Sequence, residues 1–365
     1  KELYDALCNP NNLEKLETGQ PVSITLEQTE PCPANNNGAW AEAYNTMAQK
    51  HLPAYQNVCG AIAASAIAAF DRDCSDIFWL GQSSIGVSQM INDKPVQTGQ
   101  SIKANDVYSI QLSVTFDVSN SWKTTSEGGK GRNIAMDTGT VKTAVAAIKT
   151  EAAKESSRYN QLKAVHDYLT KNNAYNEAAL KEDNKISGGG YLDTTPWEAI
   201  SALTDADSLN PVCEGYARAF KLICDALDIP CVLVSGKAGV TENDQEPHMW
   251  NYVRMEDDKW YAVDVTWDDP VLPDGSSGDG KDGCFLIGAD TTVEGKSFDN
   301  NHTESSNDFL THGHAAFKYP ALNKTKYDST AAAKKSIANA KIHLADTQST
   351  YAGEVRYVKT TGGKD

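Results

Sequence analysis

The sequence predicts an α+β protein, and two patterns carry that prediction. Residues 108–116 alternate apolar and polar side chains, which is typical of a strand with one buried face. Residues 212–227 instead place apolar side chains at helical spacing, and Asp228-Ile229-Pro230 ends this helix. Strand patterns follow at 231–234, 248–255 and 259–267. A helix followed by strands in hairpin order predicts a helix packed on antiparallel sheet.

The composition restricts the classes of partner. The chain has 365 residues, with 33 Lys and Arg against 49 Asp and Glu, a net charge of −16 and a pI near 4.9. Nucleic acid and anionic membrane surfaces require clustered positive charge, so neither is expected as a partner. The apolar run at 59–70 is too short to span a bilayer. We therefore expect no membrane insertion, while the composition leaves the oligomeric state open.

The N-terminal part is predicted to mix helices and strands. Residues 39–70 are rich in alanine at helical spacing, with an interruption or kink expected at Pro53. After the strand at 108–116, residues 140–172 read as one long helix. The segment 183–195 contains three consecutive glycines and is predicted to be a flexible connection, a hinge or a lid.

The next helix is expected to begin at a cysteine. Asn210 is predicted to cap it and Pro211 to open it, which places Cys213 in the first turn. Free backbone N–H groups and the helix dipole stabilise a thiolate there, and the N–H of Cys213 could bind an oxyanion. Gly215 permits close approach of a substrate or a neighbouring element. Considered alone, a cysteine at a helix start is more often a buried structural residue.

His248 and Asp264 lie on the two strands that follow. A hairpin brings these strands side by side, so the carboxylate could orient the imidazole and hold its tautomer. A two-residue turn would put the two side chains on opposite faces, so we predict an odd-length loop around 256–259 or a bulge. Considered alone, His248 is more often a structural histidine and Asp264 a turn or capping residue. An aspartate between Val263 and Val265, however, requires a buried partner.

Four segments together resemble a known family. They are Val212–Phe220, Ile229–Gly236, His248–Asn251 and Trp260–Pro270. In order and spacing these segments resemble the transglutaminase-like superfamily of papain-type thiol enzymes, in particular its bacterial, exported members, and the similarity covers about residues 160–270. The resemblance implies a papain-like, transglutaminase-type core. It also implies that Cys213 is the nucleophile, His248 the general base and then acid, and Asp264 the orienting carboxylate.

Other candidate site residues are less specific. Trp197, in Thr195-Pro196-Trp197, lies where the family often places a helper aromatic, although a packing role is favoured. With Gly215 and Trp250 it forms the candidate oxyanion and substrate cleft. Asp268 and Asp269 match the family pattern and are interpreted as structural residues that cap the turn before Pro270.

No metal or cofactor is expected. His302, His312 and His314 lack recognised ligand spacing and are interpreted as solvated loop residues. The Gly- and Asp-rich segment 274–283 lacks the order of a calcium loop. Among the eight cysteines, the pairs 8/32, 59/74 and 224/231 could form disulfides, and buried free thiols are the equal alternative for each.

Three segments are predicted: an N-terminal helix-plus-strand domain at 1–136, a catalytic domain at 137–325, and a C-terminal extension at 326–365 that reads as the start of another module. The predicted activity is thiol-dependent amide chemistry through an acyl-enzyme on Cys213, with a peptidase or amidase acting on protein or peptide favoured. The alternatives are a protein-glutamine gamma-glutamyltransferase and a non-catalytic binding module on the same fold. The resemblance, together with a start at Lys1, implies an extracellular or cell-surface location.

Overall fold

The computed structural model describes residues 1–35, 37–183, 193–204, 210–241, 243–269, 280–305, 310–311, 314–315, 317–330 and 340–347. The helices in these ranges are α1 (Glu2–Leu7), α2 (Leu13–Glu17), α3 (Gly38–Thr46), α4 (Leu52–Asp73), α5 (Ile134–Ala152), α6 (Arg158–Asn172), α7 (Glu177–Asp183), α8 (Ala199–Leu203), α9 (Cys213–Ala226) and α10 (Phe298–Asn301). The strands are β1 (Val22–Gln28), β2 (Leu80–Ile91), β3 (Lys94–Pro95), β4 (Tyr108–Val118), β5 (Cys231–Ala238), β6 (Glu246–Arg254), β7 (Trp260–Val263), β8 (Thr292–Val293), β9 (Lys296–Ser297), β10 (His302–Glu304), β11 (Leu310–Thr311) and β12 (His314–Ala315). This mixture of helices and antiparallel strands confirms the predicted α+β class.

The first sheet has the order β1-β4-β2-β3, and its strands pair antiparallel. Its central strand β4 contains the alternating pattern seen in the sequence. Ile110, Leu112 and Val114 are fully buried, whereas the residues between them are partly exposed. The predicted half-buried strand is confirmed, because every second side chain enters the core.

The second sheet has the order β10-β5-β6-β7 and is also antiparallel. Between β6 and β7, Arg254 pairs with Trp260, and the Met255 N–H donates to the Lys259 carbonyl at 2.9 Å. Three residues therefore form the loop tip, and Asp258 there adopts a left-handed conformation at φ 70°. The predicted odd-length loop is confirmed. In this register the side chain of residue 264 lies on the same face as that of His248.

The predicted long helix at 140–172 is wrong. It is two helices, α5 ending at Ala152 and α6 beginning at Arg158. Ser157 stands in an extended conformation and its side chain accepts from the Asn160 N–H, which makes it the N-cap of α6. The apolar spacing continues across the break because both helices pack their inner faces into one core, and spacing alone does not show a cap.

The interruption expected near Pro53 is confirmed. A π-helical turn at Met47–His51 separates α3 from α4, and Pro53 lies in the first turn of α4. The backbone stays helical at Thr46, His51 and Leu52, and the Leu52 N–H donates to the Met47 carbonyl, so the helix is perturbed just before Pro53, which has no N–H, and does not end there.

Helix α9 occupies the centre of the second half. It packs on β5 and β6 and against α5, α6 and α8. The predicted apolar stripe is buried, with Tyr216, Phe220 and Ile223 fully enclosed. The predicted cap is wrong, since Val212 is the N-cap residue and no side chain caps the helix. The Asn210 side chain instead accepts a hydrogen bond from the Ala174 N–H at 3.2 Å.

The N-terminal part holds α9 and β5 through two arginines. Arg218 of α9 donates to the Asp71 carbonyl at 2.8 Å and to its carboxylate at 2.9 Å. Arg72 donates to the Ser235 hydroxyl of β5 at 3.1 Å. Charge-assisted bonds of this kind are stronger than neutral ones, so α4 anchors the helix that carries Cys213.

Several predictions fall at the margins of the described residues. The predicted boundary at 136/137 lies inside α5, which begins at Ile134, and the division into domains stays a prediction. The three glycines of the connection and most of 332–365 lie outside the described residues. Among the described helices, none is both long and apolar enough to cross a membrane. The extracellular location stays a prediction.

Candidate active site

Cys213 is the first residue of α9, and so lies in the first turn, where the sequence predicted it. Its side chain is half-buried, so the thiol is neither sealed in the core nor fully in solvent. The free N–H groups and the dipole of this 14-residue helix favour negative charge at its start. The local structure therefore suits a thiolate.

The three predicted residues lie together. His248 Nε2 is 2.7 Å from Asp264 Oδ2, and the Cys213 thiol is in hydrogen-bonding contact with the His248 side chain. Because Nε2 is occupied by the carboxylate, Nδ1 is the ring nitrogen left to face the thiol. Burial increases from the thiol towards the carboxylate: the His248 side chain is 9% exposed and the Asp264 side chain is 1% exposed.

His248 and Asp264 stabilise each other's charged forms. Burial opposes a charged imidazole, but the Asp264 carboxylate outweighs it and raises the pKa of His248 to about 10. Burial likewise opposes the Asp264 carboxylate, yet His248 and His302 hold the pKa of Asp264 well below its usual range. An imidazolium paired with a carboxylate is thus the stable state near neutral pH.

Asp264 differs in one respect from its predicted position. It lies one residue beyond the end of β7, in a turn rather than within the strand. Its Oδ1 accepts from the Trp267 N–H at 3.2 Å, and its own N–H donates to the Cys284 carbonyl at 3.0 Å. The Asp264 side chain thus accepts a hydrogen bond from the backbone three residues later in the chain. Such a local bond favours a turn over continued strand pairing.

His302 contradicts its interpretation as a solvated loop residue. It is the first residue of β10, only 3% of its surface is exposed, and its Nε2 lies 2.9 Å from Asp264 Oδ2. The pairing of β10 with β5 brings His302 next to Asp264, although the two residues are 38 positions apart along the chain. No local spacing in the sequence signals such a contact. His312 lies outside the described residues, and of His314 the structure describes only its place in β12.

Tyr175 was not predicted at the site. Its hydroxyl contacts both the backbone and the thiol of Cys213, and burial together with Cys213 raises the pKa of Tyr175 above its usual value. The segment is held beside α9 on both sides, since Asn176 donates its N–H to the Pro211 carbonyl at 3.0 Å and Ala174 donates to Asn210. A tyrosine hydroxyl at the thiol is a donor that substrate oxygen could use.

The remaining cleft candidates have different outcomes. Gly215 is buried, and an added Cβ would lie 2.6 Å from the Pro196 carbonyl oxygen, so glycine is required for packing rather than for substrate access. Trp197 is partly exposed in a 3-10 turn beside the start of α9, where Val212 N–H donates to Pro196. Trp250 is 1% exposed and lies parallel to the His248 ring at 6.0 Å. Its indole thus supports the imidazole from the core and does not line an open cleft.

Asp268 and Asp269 make buried structural contacts, and the turn before Pro270 that they were predicted to cap extends outside the described residues. Asp268 accepts from the Cys284 N–H at 2.9 Å and from His166 Nε2 at 3.1 Å. Asp269 accepts from the Tyr216 hydroxyl. The two carboxylates therefore tie the turn after Asp264 to α6 and α9. Asp268 raises the pKa of the buried His166 despite the opposing effect of burial.

Two groups of side chains have atoms close enough to hold a metal ion: His248, Asp264 and His302, and His166, Asp167 and Asp282. In the first group both imidazoles point a nitrogen at the same carboxylate oxygen, as hydrogen bonds require. In the second, the Lys163 ammonium lies 2.5 Å from Asp167 and 3.1 Å from Asp282. That lysine already supplies the positive charge which the two carboxylates need.

All eight cysteines lie in described residues, and none of the three suggested pairs is joined by a disulfide. All eight are free thiols, and Cys8 Sγ lies 3.5 Å from Cys74 Sγ rather than against Cys32. Cys224 and Cys231, the third suggested pair, are in side-chain contact as free thiols. The Cys8 and Cys74 contact joins residues 66 positions apart, which sequence proximity could not reveal.

Comparison with known proteins supports the resemblance seen in the sequence. Residues 146–265 match the family model described as "Transglutaminase-like superfamily". The match includes Cys213, His248 and Asp264. The resemblance is thus confirmed for this segment, and thiol-based catalysis is the general chemistry of that superfamily. No curated protein matches the chain.

Two solved structures are similar at low levels. One is described as "Crystal structure of a TGase": it has 22% sequence identity and a TM-score of 0.28, and the match covers 50% of this chain and 44% of that one. The other is "a Putative Cysteine Protease from Cytophaga hutchinsonii": it has 15% identity and a TM-score of 0.25, with 55% and 71% covered. The chain thus spans less than half of the TGase structure. At these TM-scores neither likeness assigns an activity.

Proposed function

We propose that this chain, whose residues 146–265 form a transglutaminase-like domain, is a thiol-dependent peptidase or amidase. The observation that carries the proposal is the joined geometry of three side chains: the 2.7 Å bond from His248 Nε2 to Asp264, with the Cys213 thiol against the same imidazole. A nucleophile, a base and an orienting group in contact are the parts of a triad.

The reaction follows from these contacts. The Cys213 sulfur attacks the carbonyl carbon of an amide, and the carbonyl π electrons move to its oxygen. The protonated His248 gives its Nδ1 proton to the leaving amine, the C–N bond breaks and an acyl-thioester remains on Cys213. Neutral His248 then takes a proton from water, whose oxygen attacks the thioester carbon. The C–S bond breaks, the carboxylic acid leaves, and the Cys213 thiolate and protonated His248 are restored. Asp264 holds the imidazole throughout and stabilises its charge.

Two donors are proposed for the developing oxyanion. The backbone N–H of Cys213 lies at the start of α9, and the Tyr175 hydroxyl is in contact with that same backbone group. When a substrate carbonyl enters, its oxygen replaces the hydroxyl as acceptor of the N–H, and the hydroxyl becomes a second donor. Donors placed where charge develops lower the barrier because they need no reorganisation during the reaction.

Hydrolysis and amine transfer differ only in what attacks the thioester. We favour hydrolysis, because nothing in the sequence marks a binding site for an amine. The test is to incubate the chain with a diverse library of glutamine-containing peptides, with and without a primary amine at millimolar concentration, and to identify the products by mass spectrometry. We expect cleaved or deamidated products in both samples and few amine adducts.

Two other results would replace this proposal. Dominant amine adducts would make the chain a protein-glutamine gamma-glutamyltransferase. No product in either sample, with a folded protein that binds peptides, would favour the binding module. The Cys213→Ser variant is the control in each sample, because any product that it also forms does not come from this site.

A further inference from the structure

The buried histidine beside the triad has contacts that suit a function of its own. Asp264 Oδ2 accepts from His248 Nε2 at 2.7 Å and from His302 Nε2 at 2.9 Å, while Oδ1 accepts from the Trp267 N–H at 3.2 Å. Both oxygens of a carboxylate that is 1% exposed are therefore occupied. A carboxylate with donors on both oxygens cannot rotate without leaving one of them unpaired in the core.

The two imidazoles have opposite charge preferences. Asp264 raises the pKa of His248, whereas burial outweighs Asp264 and lowers the pKa of His302. The Asp264 carboxylate can only accept a hydrogen bond, so the single proton of a neutral His302 is on Nε2, while the ring also contacts the Phe298 backbone. Asp264 and His248 are the titratable groups that act on His302. His302 is thus a neutral donor beside a charged imidazole.

Packing holds the His302 ring in place. It stacks on Phe298, with ring centroids 4.0 Å apart and planes 16° apart, and it contacts Trp267 at 4.5 Å and Trp250 at 5.1 Å. Its backbone pairs with Ala238 of β5. A ring enclosed by three aromatic side chains and a strand pairing keeps one orientation, so its N–H is directed at Asp264 before any substrate binds.

We propose that His302 is a positioning residue, whose Nε2–H fixes the Asp264 carboxylate in the orientation that holds His248 toward Cys213. The inference rests on the proposed thiol chemistry and extends the site from three residues to four. His302 does not touch the nucleophile. It acts through Asp264, and what it supplies is one directed N–H and not a charge.

Three substitutions separate the N–H from the ring. Glutamine places an amide nitrogen near the position of the imidazole Nε2, asparagine is too short to reach it, and leucine has no donor. His302→Gln should therefore keep the function that His302→Asn and His302→Leu lose. His166→Leu is the matched control, because His166 is also a buried histidine that bonds a carboxylate, Asp268 at 3.1 Å, away from the nucleophile.

The measurement is the rate of Cys213 alkylation by iodoacetamide from pH 4 to 10, mapped by mass spectrometry on the native protein. At pH 6 we expect Cys213 in His302→Leu and His302→Asn to react about tenfold more slowly than in the parent. The rise of the alkylation rate with pH should be displaced by about one unit to higher pH. His302→Gln should stay within about threefold of the parent. His166→Leu should lower the melting temperature and leave the profile unchanged.

Each outcome has one meaning. A His302→Asn profile that superimposes on the parent's, or a folded His302→Gln variant as slow as asparagine, would show that the N–H does not position the triad. Those two variants decide the matter even if the leucine variant does not fold. A parent in which Cys213 is not selectively reactive would instead contradict the proposed function itself, before any His302 variant is compared.

Discussion

Replacing Cys213 by serine is expected to abolish turnover while leaving the fold intact. Serine preserves the size of the side chain and the start of α9, but its hydroxyl is a far weaker nucleophile than a thiolate. We expect the rate to fall by at least about a thousandfold. Since Cys213 is only half-buried, the melting temperature should change by less than about 2 °C. Product formation and thermal unfolding, measured on the same preparation, check both expectations.

Cys224→Ser is the matched control for that variant. Cys224 lies on the same helix, is fully buried and contacts the Cys231 side chain, and burial raises the pKa of its thiol well above its usual value. Its replacement should lower the melting temperature and keep most of the turnover. If Cys213→Ser turns over substrate as the parent does, another residue is the nucleophile.

The second large effect is expected for Asp264→Asn. The amide can present an NH₂ to His248 Nε2 where the carboxylate oxygen accepts, so the imidazole loses both its orientation and its counter-charge. We expect turnover to fall by about a hundredfold to ten-thousandfold in a folded protein. Asp268→Asn is the control, because that carboxylate bonds His166 and Cys284 instead and should affect stability more than turnover. Equal losses of turnover in the two variants would contradict a specific function for Asp264.

Asp264→Asn should also change how the free energy of unfolding depends on pH. The pKa of His248 is about 10 in the folded protein against an ordinary 6.5, so the pair's stabilisation is complete below pH 6.5 and is lost as the pH rises through 10. For Asp264 the pKa is lowered, so its contribution is present above its ordinary pKa and is lost on acidification. Denaturant unfolding from pH 6.5 to 10 should show a decline in the parent that is absent from Asp264→Asn.

The sequence predicted the elements whose signals are local. Alternation identified β4, apolar spacing identified α9, and the parity of the loop after β6 placed His248 and Asp264 on one face. Those signals depend on the periods of strand and helix and on hairpin register, and nothing distant in the chain overrides them.

The missed residues depend on contacts between distant segments. His302 reaches Asp264 because β10 pairs with β5, and Tyr175 reaches Cys213 because its segment bonds to the residues before α9. Neither pairing leaves a repeat or spacing in the sequence. The error at α5 and α6 has another cause: α5 ends at Ala152 and Ser157 begins a new helix as its N-cap, while the apolar spacing continues past the break. Local patterns therefore identified the three candidate residues but not the residues that contact them.

The most direct test of the central claim, that His248 activates Cys213, is a map of limited iodoacetamide alkylation over all eight cysteines. Five thiols are buried, and Cys8 is the main competitor, because its contact with Cys74 lowers the pKa of a half-buried thiol. At mildly acidic pH we predict that Cys213 is modified first in the parent. In His248→Ala, the rate at Cys213 should fall while that at Cys8 stays the same. Labelling led by another cysteine in the parent, or a Cys213 rate unchanged by the loss of His248, would contradict the account.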